Sequence, residues 1–533
     1  MARSQPYTIS CDGGLINTSN SLELLKTPGF ATKLRNFEVN ISGGYRRING
    51  YEKFGGASAV QPNGTEDVLG IFVYGDGVVV CSGTDIFFSE DGTSWLQINK
   101  LSATGGDNYT TFTGKSATTR TNQGQCTFAL FESNHDYGQL IIADGANKPF
   151  SFRMEGTGAL TTRTFFTEEI DVDGSNSGVK YITIHDHHLV AGGVVGSEST
   201  VYWSRDSIPN DFVGSGSGNA VLPDKIRGLK SFRQDLIIFG TNSIHKLINI
   251  NDFVSTGAVN PVTTNVGCLD GQSIQEIAGD LLFLAPDGFR TVAGTSRIGD
   301  IELSTVSKQI QTTIKAIANA VSDFTISSLV IREKSQYRLF YSKSTDPVAS
   351  SKGVIGVIRP NGFQWSETLG IQATAIASGF NDAGVEKYYH GDTSGNIYVH
   401  DSGNDFDGTA IAAEYQTPDI DYGDLGTLKT LHFVKLSIGP EGTVQPNLKV
   451  RYDYDSNTIP QPETYVLSNV PAPAVFGEAL FGTAIFGATE QPFVRQAIQG
   501  SGHSNFFNIN SEDSNAPYTI NGLYIDYIPS GRR

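Results

Sequence analysis

Three histidines fall within four residues, His185, His187 and His188 in the stretch IHDHHLV. On a strand, His185 and His187 would share a face, and two imidazoles on one face can begin a metal site. Asp186-His187 also reads as the turn between two strands, and no further ligand is indicated, so no metal is expected. Two acidic, glycine-bearing loops, DVDGSNSG (171–178) and DSGNDFDG (401–408), could offer carboxylates to a cation. Each lacks the distal Glu of a calcium-binding loop, and solvated turns are the simpler reading. The four cysteines, Cys11, Cys81, Cys126 and Cys268, are far apart and form no Cys-x-x-Cys pair. They read as free, buried thiols of a protein made in a reducing cytoplasm.

The segment Ser89-Glu90-Asp91-Gly92-Thr93-Ser94-Trp95 resembles the Asp-box of sialidase-type propellers, one residue short of its usual form. Its physics is a tight hairpin in which Asp91 bonds turn backbone and Trp95 packs into the sheet. One structural turn does not make a glycosidase. That chemistry needs two carboxylates flanking a scissile bond, and nothing in the sequence selects a pair. No nucleophile elbow, phosphate-binding loop or dinucleotide fingerprint occurs, so neither an enzyme nor a cofactor is expected.

The elements that would carry these residues are short and repetitive. The stretch 225–249, KIRGLKSFRQDLIIFGTNSIHKLIN, reads strand, turn, strand, turn, strand, with Leu236–Phe239 too short an apolar run for a helix. Comparable modules cover 68–98, 124–166, 181–212, 273–294, 329–367 and 373–401. A recurrence of ~35–50 residues with several short strands per unit is the signature of a β-propeller, here of six or seven blades. The last module is either whole or closed by a strand from elsewhere. One helix interrupts the series: in 305–321, Val306, Ile310, Ile314, Ile317 and Val321 recur at spacings of four and three. Such a stripe docks, either on a blade edge or on an adjacent subunit.

The fold class is therefore all-β, in three parts. Residues 1–65 form an irregular arm that packs on the C-terminal domain or a neighbouring subunit, 66–403 form the propeller, and 404–533 form a β-sandwich-like domain with longer strands. Within the last part, VFGEALFGTAIFGATE (475–490) repeats Phe-Gly at Phe476, Phe481 and Phe486. A spacing of five puts neighbouring Phe rings on opposite faces of a strand and off one stripe of a helix, so loops are expected. Leaving three Phe in water would forgo roughly 1.5–3 kcal/mol each. They pack on their own domain or insert into another subunit or partner.

The net charge of −17 argues against a surface that grips nucleic acid through phosphates, though not against a wall past which it slides. The opening MARSQPYTIS lacks the apolar core of a signal peptide, and no run of ~18 apolar residues suggests a membrane span.

The arm LRNFEVNISGGYRRINGY (34–51), together with VYWSRDSIPNDF, IRGLKSFRQDLIIFGTNSIHKL, GDLLFLAPDGFRTVAG and the Phe-Gly loops, resembles the tail nozzle (tail tubular, or tail-hub) proteins of short-tailed bacteriophages. The resemblance implies a six-fold ring of copies at the distal part of a tail, below portal and adaptor rings. It would extend the double-stranded DNA channel without binding DNA specifically, retain and release the genome, and dock fibres or spikes. The protein would reside in the virion tail, and in host cytoplasm before assembly. Tyr45, Arg46 and Arg47 of the Gly-Tyr turn join Phe476, Phe481 and Phe486 as candidate interface residues. The alternative is a carbohydrate-binding or glycan-cleaving propeller, motivated by the Asp-box-like turn.

Overall fold

The computed structural model describes residues 4–17, 21–100, 111–114, 120, 121, 123–132, 136–293, 305–360, 362–467 and 493–532. The repeating modules become sheets arrayed about one axis. Blade one is Val68–Tyr74, Gly77–Ser82, Asp85–Ser89 and Leu96–Gln97. Blade two is Thr127–Phe131, Gln139–Ala143, Phe150–Glu155 and Thr164–Glu169, extended by Thr111–Gly114 in parallel. Blade three runs from Val179–His185 to Gly218–Val221 and blade four from Ile226–Phe232 to Ala258–Thr263, each of four strands in chain order.

A three-stranded sheet, Gln275–Ile277, Asp280–Ala285 and Gly288–Thr291, takes the fifth place. Blade six begins at Thr325–Ile331 and ends at Gly362–Leu369. Blade seven has Ala375–Phe380, Glu386–Gly391 and Ile397–His400. Its fourth strand is Tyr51–Lys53, which pairs antiparallel with Ile397–His400. Thus six blades of four or more strands, and one sheet of three, make the all-β propeller.

No such sheet can bury both faces alone, so the stabilising cores lie between blades. Tyr74, Val79 and Phe88 meet Phe152 and Phe165 between blades one and two. Val190 and Trp203 meet Leu236 and Ile238 between three and four. Val68, Ile71 and Val80 meet Ala375, Tyr389 and Ile397 between one and seven, which closes the ring. Closure therefore depends on a strand from the start of the chain locking onto the last blade.

The C-terminal part is a sandwich built on the arm as much as on itself. One sheet runs Phe37–Val39, Tyr45–Arg47, Tyr518–Arg532, Thr427–Pro440, Val494–Ala497, with Gln5–Ser10 also paired to Tyr518–Arg532. The other continues blade six. Lys33–Arg35 pairs with Gly362–Leu369 on one side and with Ile411–Gln416 on the other, and Asn505–Asp513, Asn447–Tyr452 and Tyr465–Val466 follow. Asn36 pins this seam. Held at φ 54, it is buried, donates its amide to the carbonyls of Leu369 and Ala412, and accepts from the Leu369 N–H.

Propeller and sandwich consequently share one apolar core, in which Leu339 and Trp365 of blade six join Tyr415, Val434, Phe507 and Ile525. The residues read as an irregular arm contain five short strands, four of them three residues long and all five in sheets shared with later parts of the chain. The helical stripe forms Gln311–Asn319 after a single 3-10 turn, and buried Ile310, Ile314 and Ile317 lay it against this core.

Candidate functional site

The arm meets the body through charge. All five lysines and arginines of residues 33–53 are ion-paired. Lys33 and Arg35 reach Glu414 at 3.1 and 3.8 Å, and Lys53 reaches Asp407 at 3.5 Å. Arg46 grips Glu441 with Nε and Nη2 at 2.5 and 2.7 Å and Glu38 at 3.1 Å. Arg47 is fully buried. It donates to Asp513 at 2.5 Å and to the backbone carbonyls of Asn404 and Asn515. The Tyr45 hydroxyl accepts from the Gly14 N–H at 3.0 Å and donates to the Gly29 carbonyl at 2.8 Å. The interface made by Tyr45, Arg46 and Arg47 is thus within the chain, between arm and sandwich. Phe476, Phe481 and Phe486 lie outside the described residues.

Beside that seam is the densest buried charge in the described molecule. Arg338 donates to Glu38 at 2.9 Å and to Asp401 at 3.0 Å. Lys334 reaches the same two carboxylates at 3.2 and 2.6 Å, and Gln336 donates to Glu38 at 3.1 Å. Three units are joined: Glu38 from the arm, Lys334 and Arg338 from blade six, and Asp401 from the end of blade seven. Burial pushes the Asp401 carboxyl up, but Arg338 and Lys334 outweigh it and hold it well below the usual range.

Two histidines extend the cluster, and the donors fix their tautomers. Arg338 lies 3.1 Å from His400 Nε2, and a guanidinium can only donate, so Nε2 accepts. The His400 proton is then on Nδ1, 3.3 Å from His390 Nδ1, which must accept in turn. His390 stacks on Tyr398 and meets the edge of Tyr51 on the closing strand. Every ring lone pair is engaged, so a proton can be added only by breaking the chain. Burial holds His390 down at about 3, and burial, His390 and Arg338 together keep His400 well below the ordinary imidazole range.

The propeller axis is closed by neutral groups. Gln125 reaches from blade two and donates to the carbonyls of Ile326 and Thr374 at 2.7 and 3.1 Å, in blade six and beside blade seven. Gln272 donates to Cys126 at 3.2 Å, Ser327 to Ala373 at 2.7 Å, and the Thr374 hydroxyl to Val68 at 2.7 Å. The space left among these residues is about 50 Å³, room for one or two waters. Its lining contains amides and hydroxyls but no carboxylate. A wider cleft of about 410 Å³ lies between Glu276–Gly279 of the fifth sheet and Val330, Arg332, Ser335 and Ile358 of blade six.

The other sequence candidates resolve into turns. Asp186 and His187 form the turn between blade-three strands at φ 46 and 64, with His185 directly opposite His188. His185 contacts Ser231 at 2.9 Å, and His188 is held by the Ser204 carbonyl and Asn251. Among the described residues no group of three or more His, Cys, Asp or Glu could hold a metal. Asp171 and Asp173 accept the N–H groups of their own loop. Of the second acidic loop, Asp401 belongs to the ionic cluster, Asp405 accepts from Gly408, and Asp407 pairs with Lys53. In the Asp-box-like turn, Asp91 accepts from the N–H groups of Thr93 and Ser94 at 2.9 and 3.1 Å, and Trp95 Nε1 donates to Val60 at 2.6 Å. All four cysteines are free and buried, and burial pushes the Cys11 and Cys268 thiols up to about 12.

The ionic cluster was not found by sequence reasoning. Its members come from positions 38, 334, 338, 390, 400 and 401; only Asp401 falls in a stretch that the sequence singled out for its carboxylates, the acidic loop 401–408, and the others share no local pattern.

No protein-family model matches the chain, and no curated protein sequence does. Solved structures do. One titled YCF48 bound to D1 peptide is 13% identical, covering 66% of this chain and 95% of that one, at a TM-score of 0.36. The Pan2 WD40 domain of Neurospora crassa is 8% identical, covering 63% and 88%, at 0.33. The extracellular domain of a putative hybrid two-component system from B. thetaiotaomicron is 11% identical over 74% of this chain at 0.34, and this chain spans under half its length, 44%. With TM-scores of 0.33 to 0.36, these likenesses carry no argument about what the chain does.

Proposed function

We propose that the chain is a structural component of a virion. Copies assemble into a ring, about six in number, at the distal part of a short bacteriophage tail. The ring extends the DNA channel, retains and releases the genome, and offers docking surfaces for fibres or spikes. The resemblance of the arm and of the blade motifs to tail nozzle proteins motivates the reading. The observation that carries it is the filled axis: Gln125 bridges blades there, and the space of about 50 Å³ is well below the roughly 300–1,000 Å³ of a small-molecule pocket. The conduit therefore runs between copies and not through any one of them. The fusion of propeller and sandwich through one continuous sheet also suits a rigid building block. Six copies carrying −17 each give a wall that repels DNA.

Electron microscopy of the purified full-length protein tests this. Rings of about six copies, with an aperture wide enough for a DNA duplex, are expected. Phe476→Ser, Phe481→Ser and Phe486→Ser together are expected to block assembly while the monomer stays folded. A monodisperse monomer under all conditions would sink the reading. The carbohydrate alternative keeps the Asp-box-like turn as its motivation, and a signal on a glycan array or a fluorogenic glycoside panel would bring it forward.

A further inference from the structure

One face of the sandwich carries positive charge that the chain does not neutralise. Lys435, on the long strand Thr427–Pro440, stands directly opposite Arg495 on one side and Tyr524 on the other. Val434, Leu436, Val494, Leu523 and Ile525 point inward and are buried, so alternation turns Lys435, Arg495 and Tyr524 outward. The Arg495 guanidinium lies 4.4 Å from the centre of the Phe433 ring. The Lys435 ammonium lies 5.6 Å from Phe433 and 5.5 Å from Tyr524.

Like charges directly opposite across strands repel. Among the described residues, neither cation has a carboxylate within 4.0 Å. Asp526, the carboxylate on that face, is in register with Phe433 and pairs with neither. The arm cations, by contrast, are all paired. On a chain of net charge −17 this ladder sets two cations in register beside two aromatic rings.

The same sandwich carries the opposite charge at one end. Asp419, Asp421, Asp424, Asp453 and Asp455 gather there, with Lys429 and Arg451 as the cations among them. Burial, with the charges of Asp453 and Asp455, pushes the Asp419 carboxyl up to about 6, against hydrogen bonds from Ser504 and Tyr454. Arg451 pairs with Asp455 at 3.4 Å, and five carboxylates against Arg451 and Lys429 leave this end net negative. Lys429 and Lys435 are six residues apart on one strand, roughly 20 Å at ~3.3 Å per residue.

We propose that the Lys435–Arg495 ladder, with Phe433 and Tyr524 beneath it, docks a second copy of this chain, head to tail, on the carboxylates around Asp421 and Asp455. Two different patches make a heterologous contact, and such contacts generate rings when the rotation closes. Copies at −17 repel one another at long range, so their association needs a local patch of opposite sign. Cations already laid on aromatic rings lose little freedom on docking. The inference rests on the ring reading above and assigns its contact.

Mass photometry of the full-length protein at low and high salt tests it. Wild type is expected to assemble, with salt weakening assembly. K435E/R495E and D421K/D455K are each expected to need at least a tenfold higher concentration, and an equimolar mixture to assemble again, because each supplies the patch the other lacks. Thermal melts check the fold of both, and K435Q/R495Q replaces the first pair if reversal unfolds it. Rings formed equally well by the charge-reversed variants would overturn this contact and leave the ring reading standing. A wild type monomeric in every buffer would overturn both. Loss of DNA or anionic-vesicle binding in K435E/R495E, without loss of assembly, would assign the ladder to a polyanion instead.

Discussion

Two polar regions hold the blades in place, and they use opposite chemistry. At the axis, Gln125, Gln272, Ser327 and Thr374 donate to backbone carbonyls, neutral group to neutral group. At the junction of arm, blade six and blade seven, Arg338 and Lys334 bind Glu38 and Asp401, ion to ion. Both are buried and both join elements distant in sequence. A neutral donor buried with a partner gains about 1 kcal/mol and loses little if the acceptor finds water. A buried ion contributes little net stability, yet removing its partner strands a charge. The axis is thus tolerant and the junction brittle, and the brittle one lies beside the strand that closes the ring, since His400 pairs with Tyr51.

Removal of the Arg338 guanidinium is the sharpest way to break that contrast. Arg338→Met leaves Glu38 and Asp401 facing one another with only Lys334 and Arg46 in compensation. We expect a loss of about 3–5 kcal/mol in urea unfolding, and earlier proteolysis of the arm than of the propeller. A loss under about 1 kcal/mol would mean that the junction is as tolerant as the axis.

Acid is the second way, because only one region titrates. His390 and His400 are held neutral in the fold, at about 3 for His390, against about 6.5 when unfolded. The unfolded chain then binds more protons below about pH 6.5, so stability is full above that value and falls as pH drops from it toward 3. The slope approaches roughly 1.4 kcal/mol per pH unit for each histidine. Asp401, held low, adds a loss only below about pH 4. Urea midpoints between about pH 7 and 4.5 sum this loss with smaller losses from His185 and His245, also lowered by burial, and with an opposite gain from Asp419 at about 6, so H390F/H400F should reduce the slope by the share of these two histidines. An unchanged slope in that variant would place the titration elsewhere.

At the axis, Gln125→Leu removes two donors from carbonyls that can turn to water in the space of about 50 Å³. We expect a cost of about 1–2 kcal/mol, independent of pH over the same range. A pH-dependent cost would show that axis and junction are coupled.

The sequence made the tolerant part legible and hid the brittle part, for a physical reason. Blades repeat, so their period accumulates over several modules, and LIIFG in blade four and LLFLA in the fifth sheet announce themselves by composition. The closing strand Tyr51–Lys53 has three residues, too few for any period to register. The seam that makes blade six and the sandwich one sheet joins Arg35 to Glu367 and Lys33 to Gln416. Pairing over such separations is set by tertiary packing, which local propensity does not encode. For the same reason Tyr45, Arg46 and Arg47 stand out only through the Gly-Tyr turn that carries the family resemblance, and Glu441 and Asp513, which the two arginines meet, do not stand out at all.

The smallest expected effect isolates burial from bonding. Asp91 accepts from the Thr93 and Ser94 N–H groups and from the Thr93 hydroxyl, at 2.9, 3.1 and 2.7 Å. These three bonds are comparable in length to, and outnumber, the two that Asp401 receives from Lys334 and Arg338 at 2.6 and 3.0 Å. The Asp91 carboxyl is likewise held low, by the Thr93 hydroxyl first and then by the turn backbone. Water, however, reaches the Asp91 turn and replaces what is removed. Asp91→Ala should therefore cost only about 0.5 kcal/mol, and that contribution is present above the ordinary carboxylate pKa and fades as pH falls through it, below the histidine window. Urea unfolding beside Arg338→Met makes the comparison directly. Equal losses would show that bond count governs both sites, whereas a several-fold difference would identify exclusion of water as the cause of the junction's brittleness.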